Sequence, residues 1–521
     1  MVMKRPSHLW DGLSKERVEL MAKKNGSDMN VNRTIIQYFE WYVEGNHVLW
    51  NKCKAQAKRL AEFGITDVWL PPAYKAGFIE DNVGYAVYDM YDLGEFDQKG
   101  LLKTKYGGKD EYLACIKAFH DADIRVLADV VLNHRVGADE FEDVQAVKVD
   151  PGNRYNNWSD PYTISAATVF NFPGRNGKYS KFTWNHTHFT GVDWDNNERH
   201  TGNIYRFADK NWAGDVSSEM GNFDYLMGAD VDVYNPEVKE ELEKWGKWYL
   251  DLTGVDGFRM DAVKHIGASF MKEYIAKMRE YKKGEDFPVI GEYWHGDINV
   301  LENYLNQIDS SMSIFDVPLH FNIRQMSYAD GNYNMADIFN NTLLQRRPQN
   351  AITFIDNHDS QPGQSLESFV NTWMKQVAYA LILLHKDGIP CVFYGDLYGI
   401  PNTRNIPIPR LRTLIRVRHD FAYGEQHDYI DHYDVIGWTR EGDDEHPDSG
   451  IAVLLSDKRD GMKRMYIGKK FAGKCFRDCM RKIRDVVTID EEGYGDFTVQ
   501  GFSSAVWVTE AAYEYLVINE D

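Results

Sequence analysis

At 521 residues the chain is longer than one ordinary domain and can bury a large core. Its 43% hydrophobic and 26% charged residues are those of a globular protein, and its 14 Trp, 31 Tyr and 26 Phe suit both cores and sugar rings. The 79 acidic residues against 59 basic ones leave a formal charge of -20, a field that repels phosphate backbones and anionic lipid. Nucleic acid and membranes are therefore not expected as partners.

From the amino terminus, Met1 to Leu20 mixes Lys4, Arg5, Asp11, Lys15 and Glu16 with isolated apolar residues, so no secretory leader is expected. The longest apolar run, Ala378 to Leu384, is far short of the ~20 residues needed to span a bilayer. Cys53, Cys115, Cys391, Cys475 and Cys479 form an odd set without zinc spacing, which suits reduced thiols in a cytoplasm. Cys475 and Cys479 read as two unpaired thiols in a surface region. Short β-branched and aromatic segments then alternate with longer segments of helical period, the pattern of a parallel barrel. Eight strands are expected: Thr34 to Trp41, Asp67 to Leu70, Val126 to Leu132, Gly257 to Asp261, Val289 to Tyr293, Ser313 to Val317, Ile352 to Asp356 and Pro390 to Tyr394. Helices are expected over Val48 to Phe63, Glu111 to Ala122, Pro236 to Leu252 and Ile266 to Tyr281.

The long gap between strands three and four implies an inserted domain. The expected organisation is an α/β chain: a (β/α)8 barrel over 1–134 and 234–423, an insert of irregular loops and short strands over 135–233, and a C-terminal antiparallel β-sandwich over 424–521. Val435 to Thr439, Ile451 to Leu455 and Ala505 to Val508 are sandwich strands.

Barrel enzymes place their chemistry at the carboxyl ends of the strands, and polar residues crowd there. Taken singly, an acid after an apolar strand commonly caps the next helix. Asp261, Glu292 and Asp359, however, end three strands of one barrel, accompanied by Arg259, His134 and His358. Cleavage of a glycosidic bond needs a proton donor for the departing oxygen and a carboxylate to meet the cation-like anomeric carbon. Neighbouring acids raise the donor's pKa, while a guanidinium such as Arg259 holds its neighbour ionised.

The motifs DVVLNH (129–134), GFRMDAVKH (257–265), GEYW (291–294) and FIDNHD (354–359) stand in this order. FEWY (39–42), LPPAYK (70–75), VGYAVYDMYDLGEF (83–96), HDSQPGQSLES (358–368) and HDYIDHYDVIGWTREGD (427–443) extend the pattern over nearly the whole chain. The sequence resembles the α-amylase family, glycoside hydrolase family thirteen, and is most similar to the liquefying bacterial enzymes and their intracellular relatives. The resemblance implies retaining endo-hydrolysis of internal α-1,4 bonds in starch, glycogen and maltodextrins by a monomer. It implies that Asp261 is the nucleophile, Glu292 the acid/base with its carboxyl roughly 5 Å from that of Asp261, and Asp359 the acid that binds and distorts the reacting sugar. Arg259 would align Asp261, His134 and His358 would donate to sugar hydroxyls, and Tyr85 would stack on the sugar. Lys264 and His265 would contact the leaving-group side, with Trp41, Tyr74 and Trp294 lining neighbouring subsites.

The resemblance also implies a structural calcium on Asn133, Asp224, Asp230 and the backbone carbonyl of His265. Where the liquefying enzymes carry further acids, this chain has Thr190, Ala213 and Tyr234, so one calcium is expected and no second. His186 and His188 invite a zinc reading but lack cysteines or a third ligand. A transglycosylase, branching or debranching enzyme of the same family is the alternative function, and a noncatalytic glucan-binding protein the more distant one. The three acids stand against the latter.

Overall fold

The computed structural model describes residues 31–78, 83–403 and 405–519. The expectation drawn from Met1 to Leu20 falls outside them. Eight parallel strands close into a barrel: Ile35–Gln37, Asp67–Leu70, Arg125–Val130, Gly257–Met260, Val289–Gly291, Ser313–Phe315, Ala351–Phe354 and Ile389–Phe393. Each pairs with its neighbours in sequence, and the first closes on the eighth with Ile35 opposite Cys391. All eight expected strands are present, most of them shorter. Strand one ends at Gln37, so Tyr38 to Trp41 leave the sheet, and strands four and five stop one residue before Asp261 and Glu292. Strand ends that stop there free the acids from the pleat.

Helices pack outside the strands for reasons legible in their sequences. Pro236–Thr253 has proline in its first turn, the Asn235 side chain accepting from Glu237 N, and Gly254 in the left-handed conformation at its end. Val238, Leu242, Trp245 and Tyr249 form its buried stripe. Thr372–Leu384 is instead buried almost all round, because it lies between the barrel and the C-terminal sheets. Trp438 of those sheets donates to the Leu384 carbonyl at 3.0 Å. That position accounts for the longest apolar run without a membrane, and no helix among the described residues is long and apolar enough to cross one.

Between strands three and four the chain builds a second sheet, and here the expectation of irregular loops is corrected. Glu140–Asp150 pairs with Tyr162–Val169 on one side and Ile204–Phe207 on the other. Its exposed positions include Glu140, Asp143 and Gln145, which interrupt the apolar count along the strand. His134–Arg135 pairs antiparallel with Ala229–Val231, so the insert leaves and rejoins the barrel at one place. After the barrel, a six-stranded antiparallel sheet containing Val435–Arg440, Ile451–Ser456 and Ser503–Thr509 packs with the two-stranded Gly461–Tyr466 and Tyr494–Val499. Cys479 is buried, not on the surface as expected, because it packs under the C-terminal sheet, while Cys475 is partly exposed. All five cysteines are free.

Gly257 opens strand four where a Cβ would stand 2.3 Å from the Pro288 carbonyl oxygen, a backbone atom that cannot swing aside. Gly257→Ala is expected to cost about 1–3 kcal/mol by overpacking. Thermal unfolding followed by circular dichroism should show a lowered midpoint, and an unchanged one would mean the barrel yields at this point.

Candidate active site

The ends of strands three, four and five hold one buried guanidinium among carboxylates. Arg259 Nη1 donates to Asp129 Oδ1 and Oδ2 at 2.9 and 3.2 Å and to Asp261 Oδ1 at 2.6 Å, while Nη2 donates to Glu292 Oε2 at 2.5 Å. Arg259 is 1% exposed and the Asp261 and Glu292 side chains 9%, so they face a cleft and not bulk water. Asp129 is further held by the Trp69 indole at 2.9 Å and the Tyr85 hydroxyl at 2.7 Å. Ala262 follows Asp261 in the left-handed region at φ 49°, a strained position for a residue with a Cβ. That turn aims the Ala262 N–H at Glu292 Oε2, 3.3 Å away.

One cation facing this many acids sets the electrostatics. Burial pushes Asp261 well above the usual carboxylate range, and Glu292 and Asp129 add to the push while Arg259 opposes it. Asp359, without a hydrogen bond to Arg259, is pushed up to about 8 by burial and by Glu292. Asp129 is the functional residue that motif reasoning quoted but left without a role; its signal was its place at the head of DVVLNH, in line with Arg259 across the strand pair.

Three rings lie nearly parallel beside the acids. Tyr85 and His358 stack at 5.0 Å and 7°, and Trp41 lies 6.0 Å from His358 and 6.3 Å from Tyr85. His358 Nδ1 lies 3.1 Å from the Gln37 amide, which places the ring proton on Nε2, 3.3 Å from Asp359 Oδ2. Burial and Arg259 lower the His358 pKa, so the ring is a neutral donor.

Three of the expected substrate contacts are engaged within the protein in this structure. His134 is driven by burial to a pKa of about 4, and its Nε2–H donates to the Tyr85 carbonyl at 2.8 Å. His265 is likewise lowered by burial, to about 3, and gives its Nδ1–H to the Phe223 carbonyl at 2.7 Å. Tyr74 is 1% exposed, edge-on to Trp245, and its hydroxyl accepts from Val131 N at 2.7 Å. It supports strand three from below. Lys264 donates to Glu219 at 2.9 Å and to the Trp294 carbonyl at 3.2 Å, and Trp294 is half-buried against Phe321.

At the neck of the insert the pairing of His134–Arg135 with Ala229–Val231 brings Asn133 beside Asp230. Asp230 is pushed well above the carboxylate range by burial and by Asp224, and Asp224 is raised to about 7, chiefly by burial. Among the described residues no Lys or Arg pairs with either, and their donors are Thr190 Oγ1 to Asp230 and Ala213 N to Asp224 at 2.9 Å. Two buried acids without a cation, beside an amide and backbone carbonyls, match the oxygen donors of a hard divalent cation. Tyr234 donates instead to Asp215 at 2.5 Å. His186 and His188 turn to separate carboxylates, Glu142 at 2.6 Å and Glu237 at 3.2 Å, and form no shared metal cluster.

Residues 55–464 match the family model described as the catalytic domain of alpha amylase. The chain is 50% identical over 481 residues to an α-amylase of Geobacillus stearothermophilus, covering 92% of this chain and 87% of that protein. It is 47% identical over 493 residues to an α-amylase of Bacillus licheniformis, covering 94% and 96%. A cytoplasmic α-amylase of Escherichia coli (strain K12) is 40% identical over 494 residues, covering 92% and 99%. Among solved structures, an Anoxybacillus α-amylase superposes with a TM-score of 0.60 at 18% identity, covering 92% and 97%, which shows a shared fold.

If Arg259 is what makes this acid cluster tolerable, Arg259→Met is expected to cost at least about 3 kcal/mol, since it leaves buried carboxylates uncompensated. Without the cation Asp129 and Asp261, already raised by burial, titrate further above their unfolded values, so the stability they contribute is present at low pH and lost as pH rises through the raised values. The unfolding midpoint should fall more at pH 8 than at pH 5. An equal fall at both pH values would show that Arg259 acts by packing alone.

Proposed function

Because the chain belongs to the α-amylase family, we propose that it hydrolyses internal α-1,4 bonds of starch-like glucans with retention of anomeric configuration. The observation that carries this reading is the pair of carboxylates, Asp261 and Glu292, on adjacent strand ends and held by Nη1 and Nη2 of one buried guanidinium. Glu292 donates its proton to the bridging oxygen as Asp261 attacks the anomeric carbon, so that the bond to the leaving glucan breaks and a glucosyl ester forms. Glu292, now a carboxylate, takes a proton from water, whose oxygen displaces Asp261. Burial makes the Asp261 charge costly in the empty cleft; the positive charge that develops on the sugar offsets that cost, so the transition state gains more than the bound substrate does.

The other groups orient. Asp359 and the Nε2–H of His358 address sugar hydroxyls, Tyr85 and Trp41 offer flat faces, and Lys264 with Trp294 stands on the leaving-group side. Asn133, Asp224, Asp230 and the His265 carbonyl would hold a calcium at the neck of the insert, where the ion would compensate the charge of the buried carboxylates. The Thr190, Ala213 and Tyr234 contacts support one ion without a second beside it. The unbridged cysteines and the name of the Escherichia coli relative support a cytoplasmic location.

Proton NMR of a maltooligosaccharide digest is expected to show α-anomers first, from internal cuts, and Glu292→Gln is expected to lower kcat by about 10²–10⁴-fold. Initial β-anomers would exclude the ester intermediate, and transfer products in place of hydrolysis would change the acceptor. For the cation, chelation is expected to lower the thermal midpoint, and calcium affinity by titration calorimetry should strengthen as pH rises through about 7, where Asp224 gives up its proton. An affinity that is flat from pH 5 to 8 would place the ion elsewhere.

A further inference from the structure

Beneath strand seven lies a buried ion group that the chemistry above does not use. Lys375, from Thr372–Leu384, is entirely buried and sits between two equally buried carboxylates, 2.8 Å from Asp356 Oδ2 and 2.5 Å from Asp396 Oδ1. Asp396 is also held by the Tyr379 hydroxyl at 2.7 Å. A buried ion group is costly to desolvate, and a well-packed apolar core would serve stability as well or better. Where its hydrogen bonds lead therefore bears on what it does.

They lead to Asp359. Asp356 Oδ1 accepts from Ser360 Oγ at 2.9 Å, and Ser360 Oγ in turn accepts from Asn357 N at 2.9 Å. The Asn357 side-chain oxygen accepts from both Asp359 N, at 2.9 Å, and Ser360 N, at 2.8 Å. The turn carrying Asp359 is thus closed on itself by Asn357 and Ser360 and tied at its root, through Asp356, to Lys375 and to Asp396 in the short helix Tyr394–Tyr398 that follows strand eight. Asp359 itself has no hydrogen bond to Arg259 to position it, unlike Asp261 and Glu292.

We propose that Lys375, Asp356 and Ser360 are positioning residues that fix the Asp359 turn against the barrel. The inference rests on the function proposed above. Asp356 holds Ser360 in one rotamer, and Lys375, 2.8 Å from Asp356 Oδ2, holds that carboxyl in the orientation the bond needs. Asp359 then meets the distorted sugar without having to be ordered first.

The test uses the whole chain and maltoheptaose. Ser360→Ala removes one hydroxyl and no charge, and is expected to lower kcat about 10- to 100-fold, as a small misplacement of a reacting group does. KM should stay within about twofold, since interactions made only in the transition state are the ones lost. Lys375→Met should show the same split more strongly. Should that variant fail to fold, Ser360→Ala decides alone, with its unfolding midpoint confirming that it is folded at the assay temperature. A folded Ser360→Ala variant with wild-type kcat overturns the positioning role while leaving the function intact, and so does a rise in KM without loss of kcat. Absence of turnover in the wild-type chain overturns both.

Discussion

The interaction on which the rest depends is the Arg259 guanidinium buried among Asp129, Asp261 and Glu292. A carboxylate at the end of a barrel strand, walled from water by Trp69 and Tyr85, cannot stay ionised without a counter-charge. Arginine is suited to that place because its planar fork addresses several carboxylates at once and keeps its proton. Its cation lies over the Trp69 ring at 4.8 Å, so the aromatic wall that excludes water also accepts the charge. The ends of strands two, three, four and five are thus locked to each other by electrostatics and not by packing alone.

The same accounting applies to other charges that this acidic chain buries. Asp356 and Asp396 are answered by Lys375, and Asp89 by Arg175 at 2.8 Å. Among the described residues Asp224 and Asp230 pair with no Lys or Arg, and that imbalance sits where the insert leaves and rejoins the barrel.

Much of the architecture was legible along the chain because barrel strands and their helices are local patterns. A run such as Val289–Gly291 is apolar on both faces, and Pro236 and Gly254 mark the two ends of one helix. The insert was less legible. In Glu140–Asp150 and Tyr162–Val169 the pairing is antiparallel and half-solvated, so the buried Val144, Ala146, Ile164 and Ala166 are interrupted by polar positions such as Asp143, Gln145, Thr163 and Ser165.

By itself the sequence determined the chemical inventory: the barrel class, the order of its strands, the three acids and the arginine, since each follows from residue identity and short-range period. Only the tertiary structure decided how that inventory is spent. It showed that His134 and His265 use their single N–H groups on backbone carbonyls, that Tyr74 faces inward, and that Asp129 shares the arginine with Asp261 and Glu292. The physical reason is that a hydrogen-bond donor is exhausted by whichever acceptor folding brings nearest. In this chain those acceptors lie up to 49 residues away from His134 and 42 away from His265, beyond any local pattern.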